Sequence, residues 1–286
     1  MNIILLVIAS LCFALSDAYA KQLGQHYDAL QLVWMRYAIP FLILPCLLLR
    51  SGFKKSFGSS NYRMQIMRGF AILASAILFI MSLKRMNIGD ATAIAFLSPV
   101  LIVILAFVFY REKVTWLAWI GVVISFGGAL VISPPSFAGG NIAMLFPASS
   151  ALCWALAVLF TRRLGGVDSS TITLNWTFLI GFIISTAILI GNPITISKIG
   201  AQEILMGGLS TIGQFLIILS YSIGNVSRLA PLSYIQMFWS VVAAWIFFTE
   251  MPDKSFWIGS AFILAGSYLC LRQPKNIAPA HQGNVG

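Results

Sequence analysis

Ten runs of about 20 apolar residues, separated by short polar turns, constrain this 286-residue chain more than any other feature. They cover residues 2–21, 29–50, 65–84, 89–110, 114–132, 141–162, 171–191, 201–223, 228–249 and 255–272. A run of that length spans the hydrocarbon layer of a bilayer when coiled as a helix. A helix also satisfies its own backbone hydrogen bonds in lipid. The pattern predicts an all-α membrane protein with ten transmembrane helices. Composition agrees: 59% of the residues are hydrophobic and only 9% are charged, against roughly 25% in a soluble domain. A soluble enzyme, a disordered chain and a disulfide-rich secreted scaffold are excluded.

The net charge of +10 would suggest nucleic acid in a soluble protein. Here the basic residues cap the apolar runs and read as topogenic charge, so no nucleic-acid partner is expected. Cys12, Cys46, Cys153 and Cys270 lie inside apolar runs with no CxxC pair, so neither a metal site nor a disulfide framework is expected. The first run ends in Ala18-Tyr19-Ala20, which imitates a signal-peptidase site. Three observations oppose cleavage. No basic residue precedes the run, Asp17 sits just before the site, and the segment has a later copy.

That copy reveals the organisation. Leu11-Cys12-Phe13-Ala14-Leu15 with Lys21-Gln22-Leu23-Gly24 returns as Leu152-Cys153-Trp154-Ala155-Leu156 with Arg162-Arg163-Leu164-Gly165. Later in each half Glu112 matches Glu250, Trp119 matches Trp257, Gly121 matches Gly259 and Gly128 matches Gly266. Residues 2–132 and 141–272 are thus two repeats of five helices. Residues 133–140 form the linker, and 273–286 a polar tail expected to be a disordered cytoplasmic segment. Five is odd, so the second copy enters the membrane from the opposite side, which makes the repeat inverted. With the N-terminus inside, 12 basic residues fall on the cytoplasmic side and five on the other, and Arg36 lies within a span. Arg68 counts among the 12. This bias predicts that both termini are cytoplasmic.

The chemistry-bearing residues are few. Of eight acidic residues only Asp17 lies clearly within a span, and no metal-ligating cluster, paired carboxylates or GxxxxGK[ST] loop occurs. The chain carries no sign of an enzyme or a bound cofactor, and any transport would run on a gradient or by exchange. Asp17 and Lys21, at i and i+4, share one helix face. They form either a substrate or proton site or a structural ion pair. Arg36, about 10 Å into the second span, either binds an anionic substrate group or pairs with Asp17 or Asp28. Pro99, after Ser98, interrupts the fourth span, and Pro231 lies early in the ninth. Both are candidate helix bends that line a central site or, equally, packing kinks. Asn175, Trp176, Gln214, Tyr234, Gln236 and Trp239 are path-facing candidates, each with the alternative of satisfying a neighbouring helix. Glu112 and Glu250 read as architectural. Gly121, Gly128, Gly259 and Gly266 read as packing seams, at the periphery or at a homodimer contact.

Gly89-Asp90-Ala91-Thr92-Ala93, Ser98-Pro99 and Tyr110-Arg111-Glu112, with Ala230-Pro231-Leu232-Ser233-Tyr234 and Phe247 to Asp253 in the second half, resemble the EamA family of the drug/metabolite transporter superfamily. The resemblance spans residues 2–272. It implies two EamA repeats, the inner membrane, and alternating access around a cavity lined by the first, third, fourth, sixth, eighth and ninth helices. That places Asp17, Ser98, Trp154, Gln214, Tyr234 and Trp239 on lining helices. Pro99 aligns with Met237, so the halves are not equivalent there. The Asp17–Lys21 helix and the Tyr234–Asp253 end are most similar to members that import S-adenosylmethionine or riboflavin, while other members export amino acids and related metabolites. The expected partners are a small-molecule substrate and the bilayer, with proton or ion coupling. An uncoupled channel, and behind it a membrane enzyme or structural subunit, are the alternatives.

Overall fold

A computed structural model describes residues 2–51, 56–83, 85, 88–110, 114–132, 134, 140–190, 200–224, 226–249, 251 and 254–272. Every apolar run becomes helix. In chain order the helices are α1 (Asn2–Leu23), α2 (Ala29–Ser51), α3 (Tyr62–Leu83), α4 (Ile88–Ala95), α5 (Ser98–Tyr110), α6 (Trp116–Ile132), α7 (Gly140–Leu164), α8 (Ser170–Leu189), α9 (Ala201–Ile223), α10 (Val226–Leu229), α11 (Ile235–Phe248) and α12 (Lys254–Leu271). Among the described residues seven helical stretches are long and apolar enough to cross a bilayer, and Ser98–Tyr110 and Trp116–Ile132 are shorter apolar helices. Glu112, Glu250, most of the linker and the tail lie outside the described residues.

Helix ends follow local chemistry. The Asn61 carboxamide accepts the Met64 N–H at 3.1 Å and starts α3. Ser169 does the same for α8 through the Ile172 N–H. Two apolar runs are interrupted. The fourth breaks at Phe96-Leu97, and Ser98-Pro99 opens α5, where proline has no helical N–H bond to lose. The ninth opens with α10, passes through a 3-10 turn at Ala230–Tyr234 that carries Pro231 near its start, and continues as α11.

Packing is antiparallel and long-range. α1 lies along α9: the Ser16 hydroxyl donates to the Met206 carbonyl at 2.9 Å, and the Ser220 hydroxyl to the Asn2 carbonyl at 2.9 Å. α3 lies along α7 in the same way, with Ser75 bonded to Ser150 and Arg68 to Thr161. α2 meets α8, where Phe41 stacks on Phe182 at 4.5 Å between centroids and the Trp34 indole donates to Thr186 at 2.9 Å. The central apolar cluster draws on α1, α5, α6, α7, α9, α10, the 3-10 turn and α12, with Leu6, Ile102, Val122, Val158, Tyr221 and Leu232 among its buried members.

The four repeated glycines face one another between α6 and α12. A Cβ on Gly121 would lie 2.5 Å from the Gly266 carbonyl oxygen, and one on Gly128 would lie 2.6 Å from that of Gly259. The contacts are reciprocal, since Gly259 and Gly266 meet the Gly128 and Gly121 carbonyls. This seam is internal to the chain. Without a hydrophobic drive between helices in lipid, such close approach supplies dispersion contact. Gly127 has nothing within 4 Å. Gly128→Ala should therefore cost about 1–3 kcal/mol by overpacking, while Gly127→Ala should leave stability unchanged or slightly raised. Thermal melts of the detergent-purified variants compare the two; equal melting temperatures would contradict the seam.

Candidate functional site

Three helices bring polar side chains together among the apolar helices, two of them charged. Arg36 of α2 holds the Asp17 carboxylate of α1 at 2.5 Å. The Gln236 amide of α11 reaches the other Asp17 oxygen at 3.5 Å. The Arg36 side chain is 28% exposed and that of Asp17 45%, so the pair is neutralised yet reachable. Lys21, one turn beyond Asp17, places its ammonium 4.3 Å from the centroid of the Phe248 ring. Pairing lowers the cost of holding either charge at membrane depth.

The two interrupted segments meet. Tyr234, fully buried, donates its hydroxyl to the Phe96 carbonyl at 2.8 Å, and the two rings lie 5.9 Å apart. Phe96 sits at the break before Pro99, so the phenol caps a carbonyl displaced from regular helical bonding. The carbonyl of Pro231 accepts from the Ser267 hydroxyl at 3.3 Å. Ser98 is half-buried at the start of α5, and Trp154 is half-buried on α7 against the central cluster.

Two other candidates bind the segment that precedes α3. The Asn175 amide donates to the Ser56 carbonyl at 3.0 Å, and the Trp176 indole donates to that of Phe57 at 3.1 Å. Gln214 and Trp239 differ from these. Each has a buried side-chain N–H without an acceptor among the described residues.

A second polar cluster, at the end of the bundle where α3 begins, was not evident from sequence. Asp168, in the turn between α7 and α8, is 8% exposed. It accepts from the Ser59 hydroxyl, from the Ser60 N–H at 2.8 Å and from the Gln65 amide at 2.8 Å. Gln65 also donates to Thr173. Arg68, counted by sequence among the cytoplasmic topogenic charges, is 2% exposed and bound between helices. Its guanidinium donates to Thr161 at 2.6 Å, to Thr177 and to the Thr173 carbonyl. The correction has a simple reason. Arg68 lies six residues into α3, about 9 Å deep, and threonine oxygens from α7 and α8 meet it there. Depth along the helix was the one available signal; the acceptors come from residues more than 90 positions away.

A bundle of long apolar helices with a reachable charged pair and covered helix breaks defines a multi-pass membrane protein that keeps polar groups inside. Residues 1–133 and 141–272 each match the model of the EamA-like transporter family, and the chain belongs to that family. It is a small-molecule membrane transporter and not an enzyme. A riboflavin transporter of Brucella anthropi is 24% identical over 249 residues, covering 85% of this chain and 87% of the relative. An S-adenosylmethionine uptake transporter of Rickettsia prowazekii is 21% identical over 271 residues, covering 94% and 92%. The pseudopaline exporter CntI of Pseudomonas aeruginosa is 21% identical over 278 residues, covering 96% and 97%. A crystal structure with 16% identity superposes at a TM-score of 0.80 over 94% of this chain and 95% of that one, and shares the fold.

Burial would push the Asp168 carboxyl up, but the Ser59, Ser60 and Gln65 donors outweigh it and hold it below its ordinary value. A depressed folded-state pKa contributes stability above the unfolded value, near 3.9, and that contribution is lost as pH falls through the folded value. Asp168→Asn should therefore cost about 1–3 kcal/mol at neutral pH, and the gap to the wild-type protein should close as pH falls below about 4. Melting curves across pH would show it; a gap that persists in acid would place the effect elsewhere.

Proposed function

We infer that this protein is a secondary transporter that carries a small polar or amphipathic metabolite by alternating access across a bacterial inner membrane. The observation that carries this reading is the Asp17–Arg36 pair, a charged group held reachable among helices that are otherwise apolar. Two inverted repeats of five helices supply the framework. Reciprocal packing supports them: α1 pairs with α9 as α7 pairs with α3, while α2 with α8 and α6 with α12 are each their own counterparts. Under the repeat the breaks at Phe96 and Tyr234 occupy matching positions, and they touch. The relatives' names put riboflavin and S-adenosylmethionine first among substrates. Coupling to a proton or ion gradient belongs to this reading, with Asp17 as the exchangeable carboxylate. Both termini lie in the cytoplasm, following the basic-residue bias.

A ligand panel on purified protein tests the substrate. A true substrate at about 100 times its dissociation constant should add roughly 2.7 kcal/mol to stability, and a flat response to riboflavin and S-adenosylmethionine would reject both. Asp17→Asn should reduce proteoliposome uptake at least about tenfold, a loss of about 1.4 kcal/mol, while the protein still reaches the membrane. A variant that fails to insert would instead mark the pair as structural. Reporter fusions after residues 58 and 166 should read cytoplasmic and one after 138 periplasmic; the reverse pattern would overturn the orientation.

A further inference from the structure

Buried donors without acceptors are costly. Leaving one unpaired forfeits the hydration it had in water, and native proteins keep few of them. Among the described residues Gln214 and Trp239 both carry one. Gln214 is 7% exposed. It shares a helix face with Ile217 and Ile218, one turn along α9. Ile218 packs with Leu174 and Phe178 of α8, and Ile217 packs against the cluster that holds Ala155 and Val158 of α7. That face of α9 therefore points into the bundle. Trp239 lies one turn beyond Gln236 on α11, on the face from which Gln236 reaches Asp17. The next residue back, Phe238, stacks instead on Phe256 of α12 at 5.6 Å. The helices that carry the two donors, α9 and α11, both pack against α1.

We propose that the Gln214 amide and the Trp239 indole are the specificity-determining donors of the transport path, and that they read neutral hydrogen-bond acceptors on a heteroaromatic ligand. The acceptors are neutral because the cations held among these helices are already engaged: Arg36 holds Asp17, Lys21 lies over the Phe248 ring, and Arg68 is bound to threonine oxygens. They sit on an apolar body because the residues one turn from Gln214, Ile217 and Ile218, are apolar and pack into the bundle. A ring carbonyl or ring nitrogen meets both conditions. Asp17 remains as an acceptor for donor groups on the same ligand. A site built on such donors discriminates strongly against analogues that lack the matching acceptor. This inference rests on the transporter reading and names the chemistry of its substrate.

The test separates the two claims. Gln214→Met keeps the side-chain length and removes the donor; Trp239→Phe removes the indole N–H. Ligand-free Gln214→Met should melt at the wild-type temperature or above it, because the buried donor has nothing to lose. A lower melting temperature would show a structural bond and overturn the proposal. Trp239→Phe, which also loses ring volume, is scored on transport. Uptake of radiolabelled riboflavin and S-adenosylmethionine into proteoliposomes at subsaturating concentration should fall at least about tenfold in each variant for the probe that the wild-type protein carries. Wild-type uptake left intact by both substitutions overturns this inference alone. Wild-type uptake of neither probe fails the transporter reading for this substrate class and takes the inference with it.

Discussion

No backbone polar group can be left unpaired in hydrocarbon, and the rest of this structure depends on that constraint. It makes every apolar run a helix. It also makes each interruption expensive, so an interruption persists only where something else covers the freed groups. The fourth and ninth runs break where they touch: the Tyr234 hydroxyl takes the Phe96 carbonyl, and Ser267 takes that of Pro231. The breaks are covered by each other and by α12. Two discontinuous helices are thereby made compatible with an apolar surrounding.

The same scarcity of water governs the charges. Asp17 and Arg36 neutralise each other across α1 and α2. Arg68 is spread over threonine oxygens from α7 and α8, and Asp168 is wrapped by donors from the start of α3. These arrangements differ in access. Arg68 and Asp168 are sealed and tie helices together, whereas the Asp17 pair keeps much of its surface open. Access, more than the presence of charge, separates a group able to meet a ligand from one that holds the fold. Small residues complete the design, since the α6–α12 seam brings backbones together where side chains would keep them apart.

Much of this was legible from the chain. Apolar run length gives helices and their approximate ends, because bilayer thickness sets one length scale for all of them. The repeat at Cys12 and Cys153, and the paired glycines, are periodic features that need no coordinates. Pro99 and Pro231 lie beside the two breaks, and each lacks the N–H that a continuing helix would use. The network around Arg68 escaped. Its charge lies near a helix end, where topogenic residues normally lie, and its acceptors Thr161 and Thr177 are ordinary residues of other helices. Asn175 and Trp176 were equally ambiguous, since a polar group in a span looks alike whether it faces a path or a neighbouring carbonyl.

Local composition and spacing, read against a bilayer of known thickness, are enough for the class of the protein, its helices and its family. Tertiary structure decided which polar residues are spent on one another. Asp17 takes Arg36, Trp176 takes the Phe57 carbonyl, and Gln214 and Trp239 keep donors without acceptors among the described residues. Partnership is a property of distance between helices far apart in the chain, and no local pattern encodes it.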